Sequence, residues 1–245
     1  MSRYSAVILA SGQARRLGNI CSQRPKSMLP FDGIPFLRYL ICWLLRNGVD
    51  DVIVTGSRSC HGEIIAKEIS DHFPSNVQMV MELSPQSTVR STLFGLPMVK
   101  HRDVLLITGD SIWDVDPQSF HRLHLDKRSA CSVLVTIRVD TPNYGLVKLD
   151  RTSGRILSMA DYRGEFDGIP TSTIGFYMVD VARFLDAIDP DHDLRVEREP
   201  MQRLIPDVWG VRNDSFYWDY GTPEKLAFLT GHPSIIRKYF GTPDR

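Results

Sequence analysis

Three groups of residues in this sequence have the types and spacing to do chemistry on phosphates. The first is a turn of small residues, Ala10-Ser11-Gly12-Gln13-Ala14, followed at once by Arg15 and Arg16. Small residues let backbone N–H groups approach phosphate oxygens, and arginine supplies planar, bidentate positive charge. The second is Lys26, held between prolines in Arg24-Pro25-Lys26-Ser27-Met28-Leu29-Pro30. The third is Asp110, which closes the apolar run Val104-Leu105-Leu106-Ile107-Thr108-Gly109. A magnesium ion is usually held by one or two carboxylates plus substrate phosphates, so an aspartate here needs one partner. Each group has a plainer reading beside this one. A small-residue stretch also suits a tight strand-to-loop turn, and an aspartate at a strand end also satisfies turns. The loop is not of the Walker type, since no Gly-Lys-Ser/Thr closes it, and it is not G-x-G-x-x-G.

These groups need elements to position them, and the hydrophobic pattern supplies an alternating series. Ala6 to Ala10 is a continuous apolar run, as expected of a central strand buried on both faces. Residues 34–47 carry apolar side chains at helical spacing and end on Asn47-Gly48, a helix stop. Strands are predicted over 51–55, 77–81 and 104–108, with helices over 61–72 and 87–97 between them. A series of this kind predicts an α/β, Rossmann-like, doubly wound sheet that is mainly parallel, with ligands in the crevice beyond the strand C-termini. After about residue 130 the pattern changes to strands at 132–139, 146–149, 155–159 and 175–179. A helix at 181–188, a strand around 216–218 and a closing helix from Pro223 follow. This half reads as an antiparallel or mixed extension of the same sheet. The expectation is one domain over 1–245, its first half at 1–125 and its second at 126–245, the second completing the substrate site.

Bulk properties exclude several classes. The chain has 245 residues with 29 basic and 29 acidic side chains, so no global field draws it to nucleic acid or an anionic membrane. Phosphate binding must be local. Cys21, Cys42, Cys60 and Cys131 are widely spaced, without C-x-x-C or histidines at zinc spacing, and read as reduced thiols. The run at 6–10 is too short for a signal segment or a spanning helix, and a cytoplasmic location is expected. Asp114 and Asp116 read as a solvated loop and a helix cap, and Phe36 and Trp43 as core. Homo-oligomerisation is left open.

Taken together, the two cationic segments are more specific than either alone. Ala10-Ser11-Gly12-Gln13-Ala14-Arg15-Arg16-Leu17 resembles the A-G-G-x-G-x-R-L stretch of the sugar-phosphate nucleotidyltransferase superfamily, whose fold is GT-A-like. Pro25-Lys26-Ser27-Met28 is similar to its P-K-x-[ML], and Gly109-Asp110 to its G-D. Asp219-Tyr220-Gly221-Thr222-Pro223-Glu224 is similar to its D-x-G-T-P-E. The resemblance implies that Arg16 and Lys26 contact the triphosphate and that Asp110 and Asp219 hold Mg²⁺. It places Ala10, Ser11, Gly12, Gln13, Ala14, Gln86, Ser87 and Gly109 at the nucleotide. Thr222-Pro223-Glu224 also suits a helix N-cap with proline in the first turn. Ser87 or Thr88 equally suits a cap.

On the acceptor side the resemblance thins. Tyr144-Gly145 is similar to the family's Y-G, which faces the sugar ring. Asp161 aligns with the glutamate of E-K-P, but Tyr162 replaces its lysine and Arg163 its proline. Thr173-Ile174-Gly175-Phe176-Tyr177 stands for N-[AG]-G-[IV]-Y, losing an asparagine. Residues 82–92 depart from the usual middle loop and approach a form found in phosphocholine-type cytidylyltransferases.

The expected function is condensation of an NTP with a sugar 1-phosphate to give an NDP-sugar and pyrophosphate. The nearest kin would be heptose or hexose guanylyl- or cytidylyltransferases. The alternative is a cytidylyltransferase acting on a non-sugar phosphate, and a third reading is a silent nucleotide-binding subunit. An anionic phosphate nucleophile needs no general base, in keeping with the absence of a Ser-His-Asp or Cys-His arrangement. Alignment and charge neutralisation would carry the reaction.

Overall fold

A computed structural model of the chain describes residues 3–137, 146–150, 152–160 and 171–243. The apolar run near the start forms β1 (Ser5–Leu9). It is followed by β2 (Pro30–Phe31), β3 (Ile34–Pro35), α1 (Phe36–Arg46), β4 (Asp51–Ser57), α2 (Gly62–His72) and β5 (Val77–Glu82). Next come α3 (Thr88–Gly95), β6 (Asp103–Thr108), β7 (Ser111–Trp113) and α4 (Pro117–Lys127). The second half contains β8 (Cys131–Thr136), β9 (Leu146–Leu149), β10 (Ile156–Ala160), β11 (Thr171–Asp180), α5 (Val181–Asp186) and α6 (Glu199–Arg203). It finishes with β12 (Val208–Arg212), β13 (Tyr217–Asp219), α7 (Pro223–Gly231) and α8 (Ser234–Phe240).

The main sheet has nine strands among the described residues, and its parallel centre runs β6-β1-β4-β5. Alternate residues of β1 enter two different cores, because successive side chains point to opposite faces. Ala6 and Ile8 pack with α1 and the C-terminal helices, whereas Val7 packs with Val89 and Leu96 around α3. Burial on both faces explains why β1 carries no polar alternation. Chain order along the sheet reverses between β1 and β6, and there a doubly wound sheet opens its ligand crevice.

The long strand β11 lies antiparallel to β6, β8 and β9 and so joins the second half to the parallel centre. The expected mixed, mainly parallel sheet is the one observed. Several bounds differ. Ile34 and Pro35 pair with Phe31 and Pro30, so α1 starts at Phe36. The stretch 87–97 splits into α3 and a 3-10 turn, Leu96–Met98, with Pro97 inside it. Strand β8 ends at Thr136, and the later part of the expected 132–139 strand lies outside the described residues. Asp116 caps α4 by accepting from the N–H groups of Gln118 at 3.1 Å and Ser119 at 3.2 Å. Phe36 and Trp43 are core, and none of the four cysteines is in a disulfide.

Gly175 interrupts the β11–β8 register, with φ of +70°. A Cβ there would sit 2.7 Å from Oγ1 and 2.8 Å from Cγ2 of Thr108. The positive φ and the overlap act together, so Gly175→Ala should destabilise the fold by about 2–4 kcal/mol. The urea midpoint checks this, and an unchanged midpoint contradicts the tight approach.

On the buried face of α4, His121 Nε2 bonds Asp103 Oδ2 at 3.0 Å, and His124 Nδ1 bonds Ser132 Oγ at 3.0 Å. Burial lowers the His124 pKa to about 4. Above pH 6.5 its ring is neutral whether the chain is folded or unfolded, and it adds no pH dependence. From pH 6.5 down to 4 the unfolded chain takes up a proton that the folded chain refuses. Over that window the fold loses about 3 kcal/mol at this residue. His124→Gln should flatten that part of the stability-against-pH curve, and urea unfolding at half-unit pH steps would measure it.

Candidate active site

The loop after β1 is pinned on both sides. The Ala10 N–H donates to the Thr55 carbonyl at 3.2 Å, and buried Leu17 anchors the 3-10 turn Arg15–Cys21. Between them Ala14 adopts a left-handed conformation, φ +50°. Ser11 is buried and its Oγ meets Ser91 Oγ at 2.6 Å, while Ser91 donates to Glu82 Oε1 at 2.7 Å. This chain of hydroxyls ties the loop to α3. Arg15 is exposed and its Nε donates to Gln13 Oε1 at 2.6 Å. Arg16 is exposed and makes no hydrogen bond or ion pair among the described residues.

Pro25 holds extended backbone ahead of the 3-10 turn Lys26–Met28, which aims Lys26 at the same crevice. Lys26 Nζ pairs with Asp110 Oδ2 and lies 4.8 Å from the centre of the Tyr220 ring. Burial, with Asp110 nearby, pushes the Tyr220 hydroxyl pKa far up, so the ring stays neutral. Ser27 Oγ is buried and has no hydrogen-bond partner among the described residues.

Asp110 and Asp219 meet through a short antiparallel ribbon. In it β13 pairs with β7, and Asp219 stands opposite Ser111. The Tyr220 N–H donates to the Asp110 carbonyl at 3.3 Å. Asp219 Oδ1 accepts from the Gly221 N–H at 3.0 Å and Oδ2 from Lys225 Nζ at 2.6 Å. Asp110 Oδ1 accepts from Ser111 Oγ at 3.1 Å. Gly221 lies close under two side chains. A Cβ there would lie 2.9 Å from Arg16 Nη2 and 2.8 Å from Asp219 Oδ1. Arg16 is thereby located beside Asp219. Thr222 caps α7, so the segment holds the cap and the carboxylate on separate residues.

A cavity of about 500 Å³ opens at the switch point. All eight residues expected at the nucleotide line it: Ala10, Ser11, Gly12, Gln13, Ala14, Gln86, Ser87 and Gly109. Arg16, Lys26, Ser27 and Asp110 line it too. Ser87 also caps α3, accepting from the Arg90 N–H at 3.0 Å. A second cavity of about 160 Å³ contains Asp219, Thr173 and Gly175. The two cavities share Leu9, Arg16, Thr88, Thr108 and Asp110. Tyr144, Gly145, Asp161 and Arg163 lie outside the described residues.

Sequence reasoning gave no role at the site to Glu82, Ser91, Lys225 or Glu197, and weighed Thr88 only as a helix cap. Thr88 and Ser91 make their ties to Val196 and Ser11, far away in the chain, and no local pattern announces them. A further acid and histidine cluster, Asp50, Asp51 and His101, could hold a metal by composition. It lies at the N-terminal ends of β4 and β6, opposite the crevice. Ser5 Oγ donates to Asp51 at 2.7 Å, the Lys100 N–H donates to Asp51 at 3.2 Å and His101 bonds Asp50 at 2.7 Å, so the cluster reads as a structural network. No described helix is long and apolar enough to cross a membrane.

Comparison with known proteins agrees with this geometry. The family model described as nucleotidyl transferase matches residues 5–185. The mannose-1-phosphate guanylyltransferase of Mycobacterium tuberculosis is 26% identical over 98% of this chain and 67% of its own length. The D-glycero-alpha-D-manno-heptose 1-phosphate guanylyltransferase of Aneurinibacillus thermoaerophilus is 23% identical over 89% of this chain and 94% of its own. The crystal structure of HddC from Yersinia pseudotuberculosis superposes with a TM-score of 0.75 at 22% identity, covering 93% of this chain and 98% of that one.

Proposed function

Since the chain belongs to the nucleotidyl transferase family, we propose that it condenses an NTP with a sugar 1-phosphate, releasing pyrophosphate. The observation that carries this is the shared wall of the two cavities. A nucleotide in the larger and a phosphorylated acceptor in the smaller would meet at Arg16 and Asp110. An acceptor phosphate oxygen forms a bond to the α-phosphorus, and the bond from that phosphorus to the β-phosphate oxygen breaks. Residues 1–125 supply the nucleotide side and 126–245 the acceptor side.

The residues present fit a magnesium ion. Mg²⁺ prefers carboxylate oxygens and keeps waters and substrate phosphates as its other ligands. Asp110 and Asp219 are adjacent carboxylates, and each already pairs with an ammonium group, so the place accepts positive charge. They would hold the ion, which when bound neutralises charge on the triphosphate. Arg16 is free to make a bidentate contact with phosphate oxygens, and Lys26 reaches the same cavity. Ser27 Oγ, buried without a partner, is a donor left over for a phosphate oxygen. Gly12 has open space where a Cβ would be, so its backbone can be approached closely. Ala10, Ser11, Gln13, Ala14, Gln86, Ser87 and Gly109 complete the nucleotide side. Thr173 and Gly175, with Tyr144, Gly145, Asp161 and Arg163, are assigned to the acceptor.

The test is a matrix of four NTPs against phosphorylated acceptors with Mg²⁺, scored by pyrophosphate release. GTP with mannose 1-phosphate is the first pair, because the relatives named above are guanylyltransferases. Release with a sugar 1-phosphate is the expected result. Activity confined to CTP and a non-sugar acceptor such as phosphocholine overturns the reading.

A further inference from the structure

We propose that Glu197 selects the acceptor, its carboxylate accepting hydrogen bonds from two neighbouring hydroxyls of a sugar ring in the smaller cavity. This rests on the sugar 1-phosphate reading above and adds to it the group that reads the ring.

Glu197 lines the smaller cavity but not the larger one. Arg16 and Asp110 belong to both, so they mark the junction, and Glu197 belongs to the part reserved for the acceptor. A carboxylate repels phosphate. An acceptor must therefore enter with its phosphate toward Arg16 and its other end toward Glu197. The side chain is half-buried and makes no hydrogen bond or ion pair to another side chain among the described residues. Burial raises its carboxyl pKa, as expected for a group packed among protein atoms and wetted only through a cavity.

The segment carrying Glu197 is irregular yet firmly built. Thr88, the first residue of α3, donates its hydroxyl to the Leu194 carbonyl at 3.3 Å and accepts from the Val196 N–H at 3.2 Å. Asp193, with its side chain buried, takes two bonds from the Arg203 guanidinium, at 2.5 and 2.7 Å. These ties fix Glu197 against the donor side of the crevice. A carboxylate that accepts from its own backbone N–H and from no other side chain among the described residues, held on a segment tied down by Thr88 over a polar cavity, keeps acceptor capacity for a ligand's hydroxyls.

The chemistry of the lining favours a polyol over a cationic headgroup. Thr173, Tyr177 and Thr88 line the cavity together with Glu197, which gives that wall a hydroxyl-bearing, polar character. A quaternary ammonium would instead want open aromatic faces. Tyr177 and Tyr217 line the cavity, but both are buried and packed into the two hydrophobic cores.

The experiment compares wild type with Glu197→Gln on the sugar 1-phosphate that wild type turns over, beginning with mannose 1-phosphate and its monodeoxy analogues. Hydrogen bonds to a charged group predict that Glu197→Gln raises the acceptor KM roughly 10- to 100-fold. The nucleotide KM and the far-ultraviolet circular dichroism should stay unchanged. With the analogue lacking a recognised hydroxyl, the difference between wild type and variant should shrink several-fold. An unchanged acceptor KM, or an equal penalty on every analogue, overturns the assignment of Glu197 while the sugar reading stands. If wild type turns over no sugar phosphate but uses phosphocholine, the sugar reading falls and this proposal with it.

Discussion

Lys26→Ala should lower kcat by about 10²- to 10³-fold, the loss seen when a pre-organised charge or donor is removed from a developing negative charge. The chain should stay folded. Lys26 stands on a one-turn element fixed by Pro25 and by buried Met28, neither of which depends on its ammonium group. Its ion pair with Asp110 is about a third exposed on the aspartate side, and such pairs contribute little to stability. A thermal midpoint within a few degrees of wild type, with turnover collapsed, is the expected combination. Wild-type turnover would remove Lys26 from the triphosphate site. Lys26→Arg should restore only part of the rate, because a planar fork cannot occupy the place of a compact ammonium at the same reach.

Asp110→Asn should lower kcat further, by about 10³-fold or more. A bound metal supplies several kcal/mol of charge stabilisation, and about 4 kcal/mol corresponds to three powers of ten in rate. The amide keeps the size and can still accept from Ser111, so the loop after β6 should hold its shape. What changes is charge. The concentration of Mg²⁺ giving half-maximal activity should rise, and Mn²⁺ should bind more weakly by calorimetry in the presence of nucleotide. Asp219→Asn should behave alike with a larger effect on stability, since Asp219 is buried and carries both the Gly221 N–H and Lys225. Unaltered metal dependence in both variants would falsify the carboxylate pair as a cation site.

The parallel half of the fold is legible because each element declares itself locally. Ala6 to Leu9 and Val104 to Ile107 are apolar runs of strand length closed by Ser11-Gly12 and Gly109, which marks them as buried strands. Asn47-Gly48 ends α1, and Asp116 begins α4. Elements of two or three residues carry no such signal. Ser111–Trp113 follows Gly109-Asp110 without a break, and its pairing with Tyr217–Asp219 is a tertiary event. Strand β12 has Gly210 at its centre and pairs in parallel with β8, so neither alternation nor a turn announces it.

The small-residue loop, Lys26 and Asp110 were readable from residue type and order, and Asp219 from the resemblance of residues 219–224 to D-x-G-T-P-E. The pinning of Ser11 by Ser91 and Glu82 was not, because hydroxyls spaced along a helix look like solvated surface. Glu197 is the sharper case. In Arg195-Val196-Glu197-Arg198-Glu199 it reads as one charge in a solvated run, and only the ties from Thr88 and Arg203 turn it toward a cavity.

The ribbon that brings Asp219 beside Asp110 also sets an order in time. Translation runs at about 5–20 residues per second. The strand preceding Asp110 is thus made roughly 5 to 20 s before Asp219 leaves the ribosome. During that interval the nascent chain has Arg16, Lys26 and one carboxylate but lacks the other. On the proposed pairing of Asp110 with Asp219, turnover would wait until the last strand zips onto Ser111–Trp113, and a growing polypeptide would not spend nucleoside triphosphate before residue 219 has been made.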